Sequence, residues 1–498
     1  MNKSTILEHK KFLSTLTILL SMLFAASLKQ APLFFSNQNS YLLRGVAQAS
    51  GLPLSNDWLA NQTDIFPLFT LLVKYSYSIS PLSFYFYHYL LATILAFSLY
   101  KISKYHEYTA TDANSMAIFF VLIFLAGKFF SVFDGVAGQY ILGNVFQPSV
   151  FGVLLIVSIA CFQSGKHLWA LFFCLLAAYF HPTYILQVAF LIFTYQVILL
   201  KTQRLKYIFL FGLLALLAIL PLLYSLHDSF GRLPLEMIKR SQEIMVYDRI
   251  PHHAVVNEWL SHKKTLISLS LITIAVIIYR RNRDVVLLLT IPALLSITFV
   301  LIADLSSNLT MLLLFGQRSS TWLVPLASSL LIMRCASQIQ WCNVINLPKI
   351  LVLFCALSAM TVFSIHGLTD TIQKHYKKTE LEVYEVYKVL ASLDYSNGSL
   401  LIPPNREDIR LNGKVPIFVD RKSLPFKANE VIEWHSRLLL AREFYDSREI
   451  TSAAQILKKI NVIEKIRYVI TDSPHLIGSC NPIYQNKETQ IYEIDKCF

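Results

Sequence analysis

The chain has 498 residues, of which 55% are apolar and only 15% charged. Globular proteins carry about 25% charge, so an ordinary soluble protein is excluded, and so is an intrinsically disordered chain. The net charge is +13, from 44 basic and 31 acidic residues. In a membrane protein such an excess gathers in cytoplasmic loops. It is therefore poor evidence for nucleic acid, and no nucleic-acid partner is expected. The 7 cysteines include no C-x-x-C pair, which removes a zinc ribbon or a thioredoxin-like motif. The 15 glycines form neither G-x-G-x-x-G nor a Walker loop, so nucleotide-driven transport by this chain is not expected.

A membrane span takes roughly 20 apolar residues. The first apolar run, 12–28, follows Lys3, Lys10 and Lys11, which predicts a cytoplasmic N-terminus. Ala25, Ala26 and Ser27 at its end also fit a cleavable signal peptide. Further runs cover 81–100, 115–133, 148–163, 168–180, 184–200, 207–226, 265–279, 284–302, 320–333 and 349–365. Basic residues fall on one side of this series: Lys101 and Lys104, then Lys166, then Lys201, Arg204 and Lys206, then Arg280, Arg281 and Arg283, then Arg334. The pattern predicts a polytopic α-helical membrane protein of about eleven spans, with its C-terminal region outside the cytoplasm. Missing one span would invert that placement. Residues 65–77 are apolar but interrupted by Lys74, and are expected as an interfacial helix. No internal repeat of the kind found in many transporters is evident.

The expected division is a transmembrane domain over 1–365 and an extracytoplasmic α/β domain over 366–498. The first carries a long outer loop at 30–64 and another at 227–264. In the tail, helices are predicted at 382–393, 429–445 and 452–460, and short strands at 399–402, 415–419, 466–470 and 490–494. Strands alternating with helices make a small α/β domain. Cys480 and Cys497 lie within it and fit either a disulfide or two free thiols.

The first outer loop holds Asn37, Asn39, Tyr41 and Arg44, then Asp57, Trp58 and Asp64. Long polar loops are often functional. A carboxylate at the membrane surface can serve as a general base for an acceptor hydroxyl. Asp57 and Asp64 equally fit N-caps of the helices that follow them. His181, in the turn Phe180-His-Pro-Thr-Tyr184, fits either a turn cap or a phosphate contact. Arg249-Ile-Pro-His-His253 fits either a solvated turn or a phosphate or sugar contact. The adjacent His252 and His253 lack metal-ligand spacing. Arg318, at the start of the run 320–333, suits a phosphate, and equally a snorkelling side chain or an ion pair with Asp304. His88 among Tyr85, Tyr87 and Tyr89 reads as a satisfied core histidine. Lys128 and Asp134 read as interfacial anchors.

The order of parts resembles the GT-C superfamily of integral-membrane glycosyltransferases. The parts are a first span, a long outer loop with carboxylates, about ten more spans and an outer α/β domain. The segment Asn37-Gln-Asn-Ser-Tyr-Leu-Leu-Arg-Gly45 is similar to the start of that superfamily's first loop, where an Asp is usual. Here the position falls on Asn37 or Asn39, and Asn is no general base. Across nearly its whole length the chain also resembles an uncharacterised group of bacterial, largely cyanobacterial, membrane proteins. That likeness runs through Ser55-Asn-Asp-Trp-Leu-Ala60, His181-Pro-Thr-Tyr184, Arg249-Ile-Pro-His-His253, Leu401-Ile-Pro-Pro404 and Pro416-Ile-Phe-Val-Asp-Arg-Lys-Ser423, and it implies no activity.

The first resemblance implies transfer of a sugar from a polyprenyl-phosphate donor to an envelope acceptor at the outer face of a bacterial inner membrane. Asp57, or Asp64, would be the base. Arg318, His181, His253 and Arg249 would bind the donor phosphate, and Asn37, Tyr41, Arg44 and Trp58 would line the substrate loop. Membrane lipid is an expected partner. No cofactor is required by the residues, and a divalent metal stays open. The competing functions are a catalytically silent envelope assembly or scaffold protein and a lipid or solute transporter.

Overall fold

The structure is a computed structural model that describes residues 3–107, 113–200, 205–231, 233–338, 349–380, 382–471 and 480–497. Lys201 and Arg204, two of the expected loop cations, lie outside the described residues. The longer helices, in chain order, are α1 (Lys3–Ser27), α2 (Leu43–Ser50), α3 (Pro67–Ile79), α4 (Ser83–His106), α5 (Ala113–Phe130), α6 (Val153–Gln163), α7 (His167–Phe180), α8 (Ile185–Leu199), α9 (Leu205–Phe230), α10 (Leu235–Glu243), α11 (Lys263–Ile278), α12 (Arg283–Leu305), α13 (Ser320–Gln338), α14 (Lys349–Glu380), α15 (Glu382–Ser392), α16 (Asp408–Gly413), α17 (Ala428–Tyr445) and α18 (Ile450–Ile463). Every apolar run read from the sequence coincides with one of them. Six of these helical segments are long and apolar enough to cross a membrane: Leu7–Ser27, Ala113–Phe130, Pro182–Leu199, Leu205–Phe230, Arg283–Leu305 and Ile350–Lys378. Pro148–Gln163 and His167–Phe180 are apolar but shorter.

The chain divides into two compact units. The first comprises Met1–Gln30, Tyr85–Ser225 and Val246–Thr371. Its helices have apolar side chains on the outside as well as the inside. On α9, Leu216, Leu217, Leu220 and Tyr224 are exposed, and on α14 so are Ile350, Phe354, Val362 and Ile365. An apolar outer face of this extent marks contact with lipid. The packed interior uses small polar residues as well as large apolar ones. Ser103 Oγ donates to Ser329 Oγ at 3.1 Å, and the Ser158 and Tyr195 hydroxyls pair at 2.9 Å. Within a membrane interior, such groups must find partners inside the protein. Asn282 caps α12, its side chain accepting from Val285 N at 3.3 Å, in the way a short polar side chain relieves an orphan N–H.

The second unit comprises Ala31–Phe84, Leu226–Met245 and Ile372–Phe498. It contains a four-stranded sheet of β1 (Ser399–Leu401), β2 (Ile466–Thr471), β3 (Tyr484–Gln485) and β4 (Gln490–Glu493), in the order β1-β2-β4-β3. β1 runs parallel to β2, and the β2–β4 and β3–β4 pairs are antiparallel. One core lies on α17 and α18, with Trp434, Leu438, Phe444, Ile456 and Ile460 among its buried members. A second lies against α15, with Val386, Leu390, Ile417, Ile470 and Ile491.

The residues 30–64, expected as a loop of the membrane domain, belong for the most part to this unit and carry α2. Helix α3, expected at an interface, packs against α2 with Phe69 and Val73 fully buried. Their approach requires Gly45: a Cβ there would stand 2.6 Å from Val73 Cβ. The strand expected at 415–419 is reduced to a single parallel bridge, Leu400 to Ile417. Pro416 has no N–H to donate, and the N–H of Ile417 is taken by Asp57 Oδ2 at 3.0 Å. The segment therefore borders the sheet without extending it.

Candidate functional site

In the first unit, four irregular segments meet around one guanidinium. They are residues 131–147, the turn His181–Tyr184, residues 246–262 and residues 314–321. The first is bent by backbone in the left-handed region at Ser131, Ala137, Gly138 and Gly143. Gly135 lies close against the start of α13: a Cβ there would meet Ser320 Oγ at 2.4 Å and Thr321 N at 2.8 Å. That closeness lets Ser320 Oγ accept from Val136 N at 2.9 Å. Phe315, just before Arg318, has φ +50°. An aromatic residue in that region is strained, and such strain gathers at functional sites.

Arg318 is 9% exposed. Its Nε and Nη2 donate to Gln139 Oε1 at 3.0 and 2.8 Å. Its Nη1 donates to Thr183 Oγ1 and meets His181 Nε2 at 3.5 Å. The Tyr184 and Phe315 rings flank the guanidinium at 5.6 and 5.4 Å from their centroids. Every one of these partners is neutral. No carboxylate pairs with Arg318 among the described residues, and the expected alternative of an ion pair with Asp304 does not form. Burying a cation without an anion costs several kcal/mol, which these neutral acceptors and ring faces partly offset. One Nη2–H also remains without an acceptor among the described residues.

The nearby histidines are neutral and add no charge. Burial, with the neighbouring Arg318 guanidinium second, holds His181 well below its ordinary value. Its Nδ1 pairs with Thr183 Oγ1 at 2.7 Å. Burial also lowers His253 to about 4, helped by His252, Arg318 and Arg249 and opposed by its bond to Ala137 O. That bond is 2.6 Å long, and a carbonyl can only accept, so Nδ1 carries the proton. The carbonyl of His253 accepts from Gln317 Nε2 at 2.6 Å. Thus the structure brings Arg318, His181, His253 and Arg249 into one neighbourhood. The sequence reading missed Gln139 and Thr183, which orient the guanidinium. Thr183 stands in the His-Pro-Thr-Tyr turn that drew attention, and Gln139 lies among three glycines, Gly135, Gly138 and Gly143, that mark an irregular loop.

Asp134 lies on the same loop as Gln139 and pairs with Lys264 at 3.2 Å. His88 is buried, with Nε2 3.2 Å from Gly143 O, as a satisfied core histidine. Among the described residues, no group of three His, Cys, Asp or Glu side chains is placed to hold a metal ion.

The other sequence candidates lie in the second unit. Asp57 is fully buried. Its Oδ1 accepts from Leu59 N at 2.9 Å and Ala60 N at 3.2 Å, and its Oδ2 from Arg410 Nε at 2.9 Å and Ile417 N at 3.0 Å. Arg410 also donates to Asp420 Oδ2 at 2.5 Å. All of these acceptor positions are occupied, so Asp57 is a cap and a buried ion-pair partner. It has no lone pair left for an acceptor hydroxyl. Asp64 Oδ1 accepts from Phe66 N at 2.9 Å, at the start of α3. Asp57 therefore takes a capping role, whereas Asp64 closes a turn ahead of α3, whose N-cap position is Phe66 and which has no side-chain cap. Asn37 starts a short helix, and its side chain makes no capping bond. Tyr41 meets the Phe66 ring edge-on at 5.3 Å. Arg44 is half-buried on α2. The Trp58 ring lies 4.3 Å beneath the Arg437 guanidinium.

Glu430 is a buried carboxylate that the sequence reading did not single out. Its Oε1 accepts from Thr63 N at 3.0 Å and Thr63 Oγ1 at 2.5 Å, and its Oε2 has no partner among the described residues. No short-range signal could have joined Thr63 to Glu430, or Asp57 to Arg410, because more than 300 residues separate each pair.

Residues 396–441 match a family model described as Domain of unknown function (DUF6798). No curated protein matches the chain. The matched stretch runs from just before β1 into α17, and it contributes Arg410, Asp420, Glu430 and Arg437 to the buried polar network of the second unit.

Proposed function

We propose that the chain is a GT-C-like membrane protein that binds the phosphate of a polyprenyl-phosphate-linked sugar at Arg318 and transfers the sugar to an envelope acceptor. The observation that carries this reading is the buried Arg318 guanidinium, held in place by Gln139 and Thr183 and paired with no carboxylate among the described residues. A planar fork of N–H donors suits a phosphate. As the anomeric C–O bond breaks, the bonding pair goes to the phosphate oxygen, and Arg318 stabilises the charge that develops there. The acceptor oxygen forms the new bond from the opposite face, with inversion. Its proton goes to a carboxylate. Since Asp57 is saturated, the reading gives this role to Asp134, on the loop that also holds Arg318 through Gln139.

In this reading about eleven helices span the membrane. The N-terminus is cytoplasmic and the tail lies outside, on the outer face of the bacterial inner membrane. The Cys480–Cys497 disulfide supports an oxidising compartment for the tail.

The test is binding of a polyprenyl phosphate to the purified full-length protein. Arg318→Gln is expected to weaken it about ten- to a hundredfold, the worth of a charged hydrogen bond. Arg318→Lys, which keeps the charge but loses the fork, should fall between. Unchanged affinity in Arg318→Gln would overturn the reading. Asp134→Asn should bind normally and lose transfer. The saturation of Asp57 favours a second reading, a scaffold that holds the same phosphate without chemistry. That reading predicts binding with no turnover in the unaltered protein.

A further inference from the structure

Within the first unit, the helix bundle has a second polar end. The start of α4 lies near residues 131–147, because His88 contacts Gly143. The segment just before α6 lies near the His181 turn, because Tyr184 Oη donates to Ser149 O at 2.6 Å. The C-terminal ends of α4 and α6 therefore sit at the far end from Arg318. There they enclose a cavity of about 310 Å³, lined by Lys101, Lys104, Tyr105, Ala160, Gln163 and Ser164 among others. This is at the small end of ligand pockets, which run roughly from 300 to 1,000 Å³.

Three observations describe what would fill it. First, the two lysines stand three apart on α4, hence on one face. Lys101 and Lys104 lie near the Phe97 and Tyr100 rings, and neither pairs with a carboxylate among the described residues. The acid that follows, Glu107, is already bonded to Arg334 at 3.1 Å and to the Tyr279 hydroxyl at 2.8 Å. The cavity therefore has a net positive rim. Second, Gln163 and Ser164 give the rim neutral polar groups, and the Gln163 amide is engaged by His106 Nε2 at 2.7 Å. Third, one wall is apolar, and at the start of α7, just past Ser164, Leu168 and Trp169 are 70% and 57% exposed. An exposed Trp at a helix end is characteristic of a membrane–water interface.

We infer that this cavity binds the headgroup of an anionic glycerophospholipid, its phosphate between Lys101 and Lys104. Basic pockets between helices are suited to such headgroups. The inference stands apart from the role given to Arg318. In the proposed topology this end faces the cytoplasm.

The experiment measures the thermal midpoint of the full-length protein in detergent after addition of phosphatidylglycerol, phosphatidylcholine or inorganic phosphate. Phosphatidylglycerol should raise the midpoint by several degrees more than phosphatidylcholine. K101Q/K104Q should abolish that difference, while K10Q/K11Q, with the same charge change, should keep it. Equal shifts with the two lipids in the unaltered protein would overturn the inference without any variant. Loss of the difference in K10Q/K11Q would also overturn it, by showing diffuse attraction. A shift reproduced by inorganic phosphate alone would reassign the cavity to a free anion.

Discussion

At the scale of single residues, two buried guanidiniums of this protein have opposite surroundings. Arg410 lies between Asp57 and Asp420, and its charge is satisfied. Arg318 has only neutral partners among the described residues. Removing one member of a buried ion pair strands the other and typically costs 3–5 kcal/mol. Asp57→Ala should therefore lower the unfolding free energy by about that amount, measured by denaturant titration in detergent. A midpoint unchanged from the unaltered protein would contradict the placement of Asp57. The histidines give a pH prediction. His253 is lowered to about 4 in the folded protein against an ordinary 6.5. Between those values the unfolded chain binds a proton that the folded chain does not, so stability rises with pH through that window and is lost as pH falls. The steepest contribution of one proton is about 1.4 kcal/mol per pH unit. His181 acts in the same direction. His253→Gln should flatten the thermal midpoint between pH 4 and 6.5 relative to the unaltered protein.

At the scale of elements, the pair α2 and α3 shows how a stretch that reads as a polar loop becomes packed structure. Half of α2 is buried, at Leu43, Gly45, Val46 and Ala47, and α3 sets Val73 against Gly45. Gly45→Ala forces the helices apart and should cost about 1–3 kcal/mol, the usual penalty for overpacking. Melting of the purified protein checks this; a midpoint equal to that of the unaltered protein would show that the helices yield freely. Periodicity reads the longer tail helices α15, α17 and α18 because each has an apolar stripe, as on α18 with Ala453, Ile456, Leu457 and Ile460 buried, and it misses the six-residue α16, too short to show a period. It misreads 415–419, where an apolar run is also what a buried coil beside a sheet contains. The difference lies in Pro416 and in a hydrogen bond to Asp57, which is remote in sequence.

At the scale of the whole molecule, the proposed topology makes the tail extracytoplasmic. A cysteine introduced at Lys487, in the tail, should react in intact cells with a membrane-impermeant maleimide, and one at Arg281 should react only after permeabilisation. The reverse pattern would invert the topology. Cys480 and Cys497 are 17 residues apart and bonded. A loop of this length is stabilised by about 3 kcal/mol through the restricted unfolded chain. Reduction should therefore lower the melting temperature of the protein, and an unchanged melt would show that the bond contributes nothing.

The amino-acid sequence alone determined the membrane-helix character, the position of each long helix and the strand-bearing tail. These depend on local composition and periodicity, which a single segment carries within itself. The capping bonds of Asp57 to the N–H groups of Leu59 and Ala60 were equally legible, because a cap and the N–H it serves are neighbours in the chain. Only the tertiary structure decided which charges are satisfied. Whether Asp57 is free or saturated depends on Arg410, and whether Arg318 is paired depends on Gln139, Thr183 and the absence of Asp304 from its surroundings. Desolvation and pairing act through space on groups that hundreds of residues separate. The chemistry open to a carboxylate or a guanidinium is accordingly fixed by its neighbours after folding, and a residue's type states only what it is able to do.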